Sequence, residues 1–249
     1  MRQDRGVVDE RATYGVDAPG VLFGMTVGGL VELTVAVALF IIGWAIPAIV
    51  LLVGGLGLAV SAAVFAHTTF RGKFRVWDEE LDALRLAGDE RVLDLGCGRG
   101  LVLLKAARRV PNGKVTGIDL WSGRDQLGNT EDATLANACA EGVADRVELV
   151  TGDMRELPFE SGTFDLVVSS LAVHNIPDAE GRARAIAEAL RVLKPGGRLR
   201  VADFRYAKAY GEVLREWGAA DVHTRDLGWR FWYGGPHART TMLTATAPA

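Results

Sequence analysis

Cysteine is scarce in this sequence of 249 residues: only Cys97 and Cys139 occur. Two scattered thiols build neither a disulfide framework nor a zinc site, and they read as reduced thiols on the cytosolic side. Basic charge is not in excess either. Lys and Arg number 28 against 31 Asp and Glu, for a net charge of −3. A nucleic-acid binder needs clustered Lys and Arg to neutralise phosphates, so nucleic acid is not the expected partner. No metal-ligand cluster, internal repeat or low-complexity segment is visible. One local absence says more than these. Between Val21 and Ala66 the only ionisable side chain is Glu32.

That stretch is too long for one bilayer crossing and fits two, at residues 21–42 and 46–66. Each supplies the roughly 20 apolar residues a crossing needs. The mean hydropathy of +0.16, high for a soluble domain, agrees with a lipid-facing segment. Gly43-Trp44-Ala45-Ile46-Pro47 makes the turn. Pro47 suits a first helical turn, where its missing N–H costs nothing, and Trp44 is an interfacial anchor. Arg2, Arg5 and Arg11 precede the hairpin, and Arg71, Lys73 and Arg75 follow it. The positive-inside rule therefore predicts a cytoplasmic segment at 1–20 and a domain at 67–249 on the cytoplasmic face of the inner membrane. A signal peptide would have one short apolar core and a cleavage site, and this region is double and starts late. A buried soluble hairpin would show a polar face, and these spans show almost none. Gly54, Gly55, Gly57, Ala59, Ser61, Ala62 and Ala63 permit close helix packing, within the chain or in a homo-oligomer. Glu32 is expected either to face a polar partner or substrate path, or to sit neutral and bonded to backbone.

After Phe74 the period changes. A helix over 77–84 is followed by strands at 91–95, 114–119, 147–151, 164–169 and 198–203. Helices are expected at 101–109, 130–141 and 181–193 between them. Strand–helix alternation with short turns predicts a doubly wound, Rossmann-like α/β sheet. The 164–169 strand is continuously apolar and so central. Lys194-Pro195-Gly196-Gly197 reads as a helix stop.

In such sheets ligands bind outside the carboxyl ends of the strands. Asp94-Leu95-Gly96-Cys97-Gly98-Arg99-Gly100 occupies that end of the first strand. The glycines are spaced G-x-G-x-G, unlike the G-x-G-x-x-G of dinucleotide loops. Asp94 would repel a pyrophosphate and attract a cation, which opposes a nicotinamide reductase. More motifs follow in order: Asp119 ending the second strand, Gly152-Asp153-Met154 after the third, Phe164-Asp165-Leu166-Val167-Val168-Ser169, and Leu193-Lys194-Pro195-Gly196-Gly197. This ordered set resembles the class I S-adenosylmethionine-dependent methyltransferases over roughly residues 75–205. The small-molecule branch, including ubiquinone and menaquinone methyltransferases, is the most similar.

The resemblance implies a fold and a cofactor, S-adenosyl-L-methionine. It implies that Asp119 accepts the ribose hydroxyls and that backbone at Gly96, Cys97 and Gly98 lies along the amino-acid end. Asp94 would meet the ammonium, Asp153 the adenine amino group, and Leu120 and Met154 the ring faces. Ser170 would border the methionine end. Methyl transfer is an in-line displacement, helped most by positioning; a base is needed only for a protonated acceptor. His174, just past the fourth strand, is the candidate base, and Asn175 the candidate for orienting the acceptor. Its alternative role is pocket shaping. Trp121, Arg124, Gln126 and Asn129 could cover the cofactor. Arg205, Tyr206, Tyr210, His237 and the run Trp229, Phe231, Trp232, Tyr233 are weaker acceptor-side candidates, and His67 reads as interfacial. The short join at Arg71-Gly72-Lys73-Phe74-Arg75 would hold the site near the bilayer, so a small lipophilic acceptor entering sideways is expected. A membrane-localised protein methyltransferase and a cofactor-binding assembly subunit are the competing readings.

Overall fold

The computed structural model describes residues 12–122 and 128–249. Arg2, Arg5, Arg11, Arg124 and Gln126 lie outside the described residues.

The two apolar runs form helices α1 (Pro19–Ile41) and α2 (Ala45–His67), both long and apolar enough to cross a membrane. The chain reverses at Gly43, where φ is 85°, a conformation glycine adopts without strain. The helices meet at glycine. A Cβ on Gly55 would lie 2.8 Å from the Leu33 side chain and 3.0 Å from Gly29 O. Glu32 faces this seam, with its carboxylate against Gly54. The outward faces stay open: Phe23 is 69% exposed, Ile41 78% and Ile46 79%. An apolar surface of that extent needs an apolar environment or a partner.

Helix α2 does not stop at residue 66. It runs through a π-helical turn, Thr68–Gly72, into α3 (Lys73–Ala83), making one helix of 39 residues from Ala45 to Ala83. The expected join at 71–75 is therefore helix throughout. Tertiary contacts hold it so. Thr68 Oγ1 donates to Trp232 O at 2.6 Å, and a Cβ on Gly72 would run into Arg230 O. The extra residue of a π turn is accommodated because another segment packs at the same point.

The domain that follows α3 is built on a seven-stranded sheet. Its strands are β1 (Arg91–Leu95), β2 (Lys114–Asp119), β3 (Val147–Thr151), β4 (Phe164–Ser170), β5 (Leu193–Asp203), β6 (Ala220–Asp226) and β7 (Thr241–Thr246). The order is β3-β2-β1-β4-β5-β7-β6. The first five strands run parallel, and β7 is inserted antiparallel between β5 and β6. Helices α4 (Leu101–Arg109), α5 (Glu131–Ala140), α6 (Ala179–Arg191) and α7 (Ala207–Glu216) complete the domain. Thr130 caps α5 by accepting from Ala133 N, and Asp178 caps α6 by accepting from Gly181 N. One core cluster joins Trp77, Leu103, Leu104 and Phe231; another joins Ile186, Leu190, Tyr210 and Leu214. Chain order reverses between β1 and β4, which opens a crevice at their carboxyl ends.

Two local differences from the sequence reading have clear causes. The Leu193–Gly197 stretch opens β5 rather than only stopping α6, because a register shift between Phe164 and Leu166 lets Leu193 pair with Phe164. The aromatic run at 229–233 forms the base of the β6–β7 connection, closed by a bridge between Trp232 and Arg239.

Candidate active site

The crevice begins at the glycine loop. Gly96, Gly98 and Gly100 have φ of 68°, 51° and 86°, so the loop coils tightly before α4. Gly96 N donates to Ile118 O at 2.8 Å, binding the loop to β2. A Cβ on Gly96 would strike Ala172 Cβ and lie 3.2 Å from Met154 Cε. The Cys97 thiol is buried and turns inward, where a Cβ on Gly117 would lie 2.7 Å from it. The Cys97 backbone N–H donates to Ile118 O at 3.3 Å and its carbonyl accepts from Gly100 N at 2.9 Å.

Asp94 is buried, and its Oδ1 has no hydrogen-bond partner. Burial pushes its pKa up to about 8; the Leu103 N–H opposes the shift and the Asp119 carboxylate adds to it. A buried carboxyl with one oxygen unpartnered is costly and fits a cationic ligand group.

Asp119 is already engaged. Its Oδ2 accepts from Gly98 N at 2.8 Å, and its Oδ1 from Trp121 N at 2.7 Å and Asn129 Nδ2 at 3.2 Å. Two donors fill Oδ1, so free acceptor capacity lies at Oδ2. A bidentate contact to two hydroxyls requires one of those donors to yield. Asn129, buried with its Oδ1 unpartnered, stands beside the carboxylate as a second polar group. Leu120 is 62% exposed at the rim. Trp121 holds φ at 56° and donates its indole N–H to Thr151 Oγ1 at 2.8 Å. Asp153 is gripped by Arg155 Nε and Nη2 at 2.6 to 3.0 Å, and that pairing holds its pKa below the usual carboxylate range.

On the other side of β1, Ser170 ends β4 and accepts the Trp77 indole N–H at 2.9 Å. Trp77 belongs to α3, so the helix continuous with α2 reaches the crevice directly. Leu171 has φ of 58°, and a 3₁₀ turn at Val173–Asn175 follows. His174 sits in that turn. Its N–H donates to Asp203 Oδ2 at 3.1 Å, and its Nδ1 lies 2.9 Å from Asp203 Oδ1. Asp203 ends β5, is fully buried, and also accepts from Arg205 N. Asn175 is exposed and its N–H goes to Ala172 O. The Tyr210 hydroxyl is raised far above its ordinary pKa, by burial first and by Asp203 second. Tyr206 lies under the Arg182 guanidinium, 3.9 Å from the ring centroid. His237 is exposed, and His67 stacks on Trp229 at 4.6 Å. Among the described residues no group of His, Cys, Asp or Glu could hold a metal ion.

Sequence reasoning missed Asp203 and Trp77. Asp203 carried one usable signal, its place at the carboxyl end of a strand. Trp77 carried none, since its partner is 93 positions away.

A family profile described as "Methyltransferase domain" matches residues 92–197. A demethylmenaquinone methyltransferase of Symbiobacterium thermophilum is 36% identical over 129 residues, covering 51% of this chain and 48% of that protein. The ubiquinone/menaquinone biosynthesis C-methyltransferase UbiE of a Ruegeria species is 35% identical over 134 residues, 53% of this chain and 50% of that protein. The chain thus spans about half the length of these curated relatives. Among solved structures, the [4+2]-cyclase SpnF is similar with a TM-score of 0.56 and 25% identity, over 69% of this chain and 82% of that one. A geranyl diphosphate methyltransferase in complex with GPP and sinefungin shares the fold, with a TM-score of 0.54 and 18% identity over 68% and 77% of the two chains.

Proposed function

We propose, for a chain whose residues 92–197 form a methyltransferase domain of the class I S-adenosylmethionine-dependent kind, that α1 and α2 anchor it in a bilayer and that it methylates a small lipophilic acceptor. One observation carries the reading. An aromatic line runs from the foot of α2 to the candidate base: Phe65 to Tyr233 at 5.0 Å, Tyr233 to Phe204 at 6.2 Å, and Phe204 to His174 at 4.5 Å between ring centroids. Relatives named for demethylmenaquinone and for 2-phytyl-1,4-beta-naphthoquinone support an acceptor of that polarity.

S-adenosylmethionine, when bound, supplies a methyl group already activated as a sulfonium. Asp94 is suited to its ammonium, Asp119 with Asn129 to the ribose hydroxyls, and Asp153 to the adenine amino group. Leu120 and Met154 flank the ring, and Gly96, Gly98 and Ser170 border the amino-acid end. His174 removes the acceptor proton. Its Nδ1 lies 2.9 Å from the buried Asp203 carboxylate without a hydrogen bond in this geometry, so Asp203 is placed to orient the ring and favour the imidazolium that forms, and Nε2 would meet the acceptor. Phe204 and Tyr233 keep water from that side. Asn175, at the mouth, is placed to orient an acceptor oxygen.

The test is methyl transfer by full-length protein in membranes, with lipid extracts and demethylated quinones as acceptors. His174→Ala should lower kcat about 10²-fold or more without changing cofactor affinity. Wild-type turnover in that variant sinks the base assignment. Turnover stimulated by peptides alone would favour protein methylation instead.

A further inference from the structure

A cavity of about 540 Å³ lies where the irregular segment at 12–16, the π turn and α4 meet. Its lining includes Thr69, Phe70, Phe74, Lys105, Arg108 and Glu141, and none of the residues assigned above to cofactor or acceptor. We propose that it binds the phosphate headgroup of an anionic glycerophospholipid, whose acyl chains lie along α1 and α2. The proposal rests on the membrane anchoring inferred above.

Position argues for a lipid. The cavity sits at the foot of the hairpin, and Phe70, 57% exposed, opens at its edge. Phenyl rings of Phe70 and Phe74 form one part of its wall and cations another, so the site suits a ligand with an apolar and an anionic part. Donors argue for a phosphate. Lys105 Nζ gives one N–H to Asp78 Oδ2 at 2.6 Å, which leaves two. The same ammonium lies 5.7 Å from the Phe74 centroid. Arg108 pairs with Glu141 through Nη2, and a guanidinium carries five donors. Glu141 does not repel an anion as a bare carboxylate would, because Tyr14 donates to its Oε1 at 2.7 Å while Arg108 holds Oε2. An independent sign is Thr69. It is 1% exposed, it lines the cavity, and its hydroxyl has no hydrogen-bond partner. A buried hydroxyl without a partner costs stability unless a ligand satisfies it. Exposed Arg71 and Arg75 beside the junction add positive potential at the headgroup level.

The experiment uses full-length protein reconstituted in phosphatidylcholine vesicles with and without phosphatidylglycerol. Flotation reports insertion, and native mass spectrometry after gentle detergent release reports retained lipid. Wild type should float with both vesicles and retain phosphatidylglycerol about tenfold over phosphatidylcholine, the size of one charge-assisted contact. Arg108→Gln should remove most of that preference, and Thr69→Val should reduce it while leaving flotation intact. Millimolar inorganic phosphate should not displace the lipid. Flotation without preference overturns the headgroup site alone, as does an unchanged preference in both variants. Displacement by phosphate overturns the lipid as occupant. Failure to float with either vesicle overturns the anchoring itself.

Discussion

If Asp94 meets the cofactor ammonium as proposed, cofactor binding is a proton-linked event. Its carboxyl is buried without a partner at Oδ1, and burial raises its pKa to about 8. At pH 6 to 7 the free site is therefore protonated. An ammonium ligand stabilises the ionised form, so binding expels a proton. Each pH unit below 8 requires about 1.4 kcal/mol to ionise the group. Affinity for S-adenosylhomocysteine should thus rise roughly tenfold per unit from pH 6 to pH 8, about 3 kcal/mol in all, and level off above. Calorimetry in buffers of different ionisation enthalpy counts the released proton directly: near one at pH 6, falling through about one half at pH 8. Asp94→Asn should release none and lose affinity mainly at pH 8 and above. A flat affinity over this range, or equal proton release in the variant, would refute the reasoning. The same raised pKa has a stability consequence of fixed sign. The folded state binds the Asp94 proton more tightly than the unfolded chain, whose value is near 3.9. That contribution is present below about pH 4 and is lost as pH rises through 8. Without ligand, Asp94→Asn should therefore stabilise the protein most at pH 8 and above, measured by urea unfolding.

Other outcomes follow from single contacts. Gly72→Ala places a Cβ against Arg230 O, where backbone has to move; chemical unfolding of the detergent-purified protein should show a loss of about 2 kcal/mol or more. Trp77→Phe removes the donor to Ser170, and should lower stability by about 1 kcal/mol while raising KM for the cofactor more than it lowers kcat. Asp203→Asn leaves the His174 backbone contact an acceptor but removes the charge that stabilises an imidazolium. Its kcat should fall at least about tenfold in steady-state methyl-transfer assays. An unchanged kcat would mean that Asp203 only holds the turn.

The connection between hairpin and domain matters for how the site is held. A flexible join would leave the crevice free to tumble relative to the hairpin. Here α2 and α3 are one helix, and Trp77 on it bonds to Ser170. A second tether runs in parallel. Lys73 Nζ and the Tyr233 hydroxyl both donate to Asp17, just ahead of α1, at 2.7 to 2.8 Å. Asn137 adds a third, pairing with Thr13 N and O and donating to Arg99 O of the glycine loop. Orientation of the crevice relative to the hairpin is thereby fixed by packing rather than by chain length.

The sequence by itself determined whatever is local. Apolar runs longer than 20 residues fixed α1 and α2, and glycine spacing after a short apolar strand fixed the β1 loop and the start of α4. The same short-range logic placed Asp94 and Asp119 at the carboxyl ends of β1 and β2. These features are legible because strand and helix periods, and glycine's access to positive φ, act over a few residues. Tertiary structure alone decided the rest. The insertion of β7 between β5 and β6, the π turn that carries α2 into α3, the partnership of His174 with Asp203 and the clamp of Tyr233 on Asp17 all join residues far apart in the chain. Nothing in local pattern specifies such pairs, because their energy appears only once packing has brought the partners together and excluded water from between them.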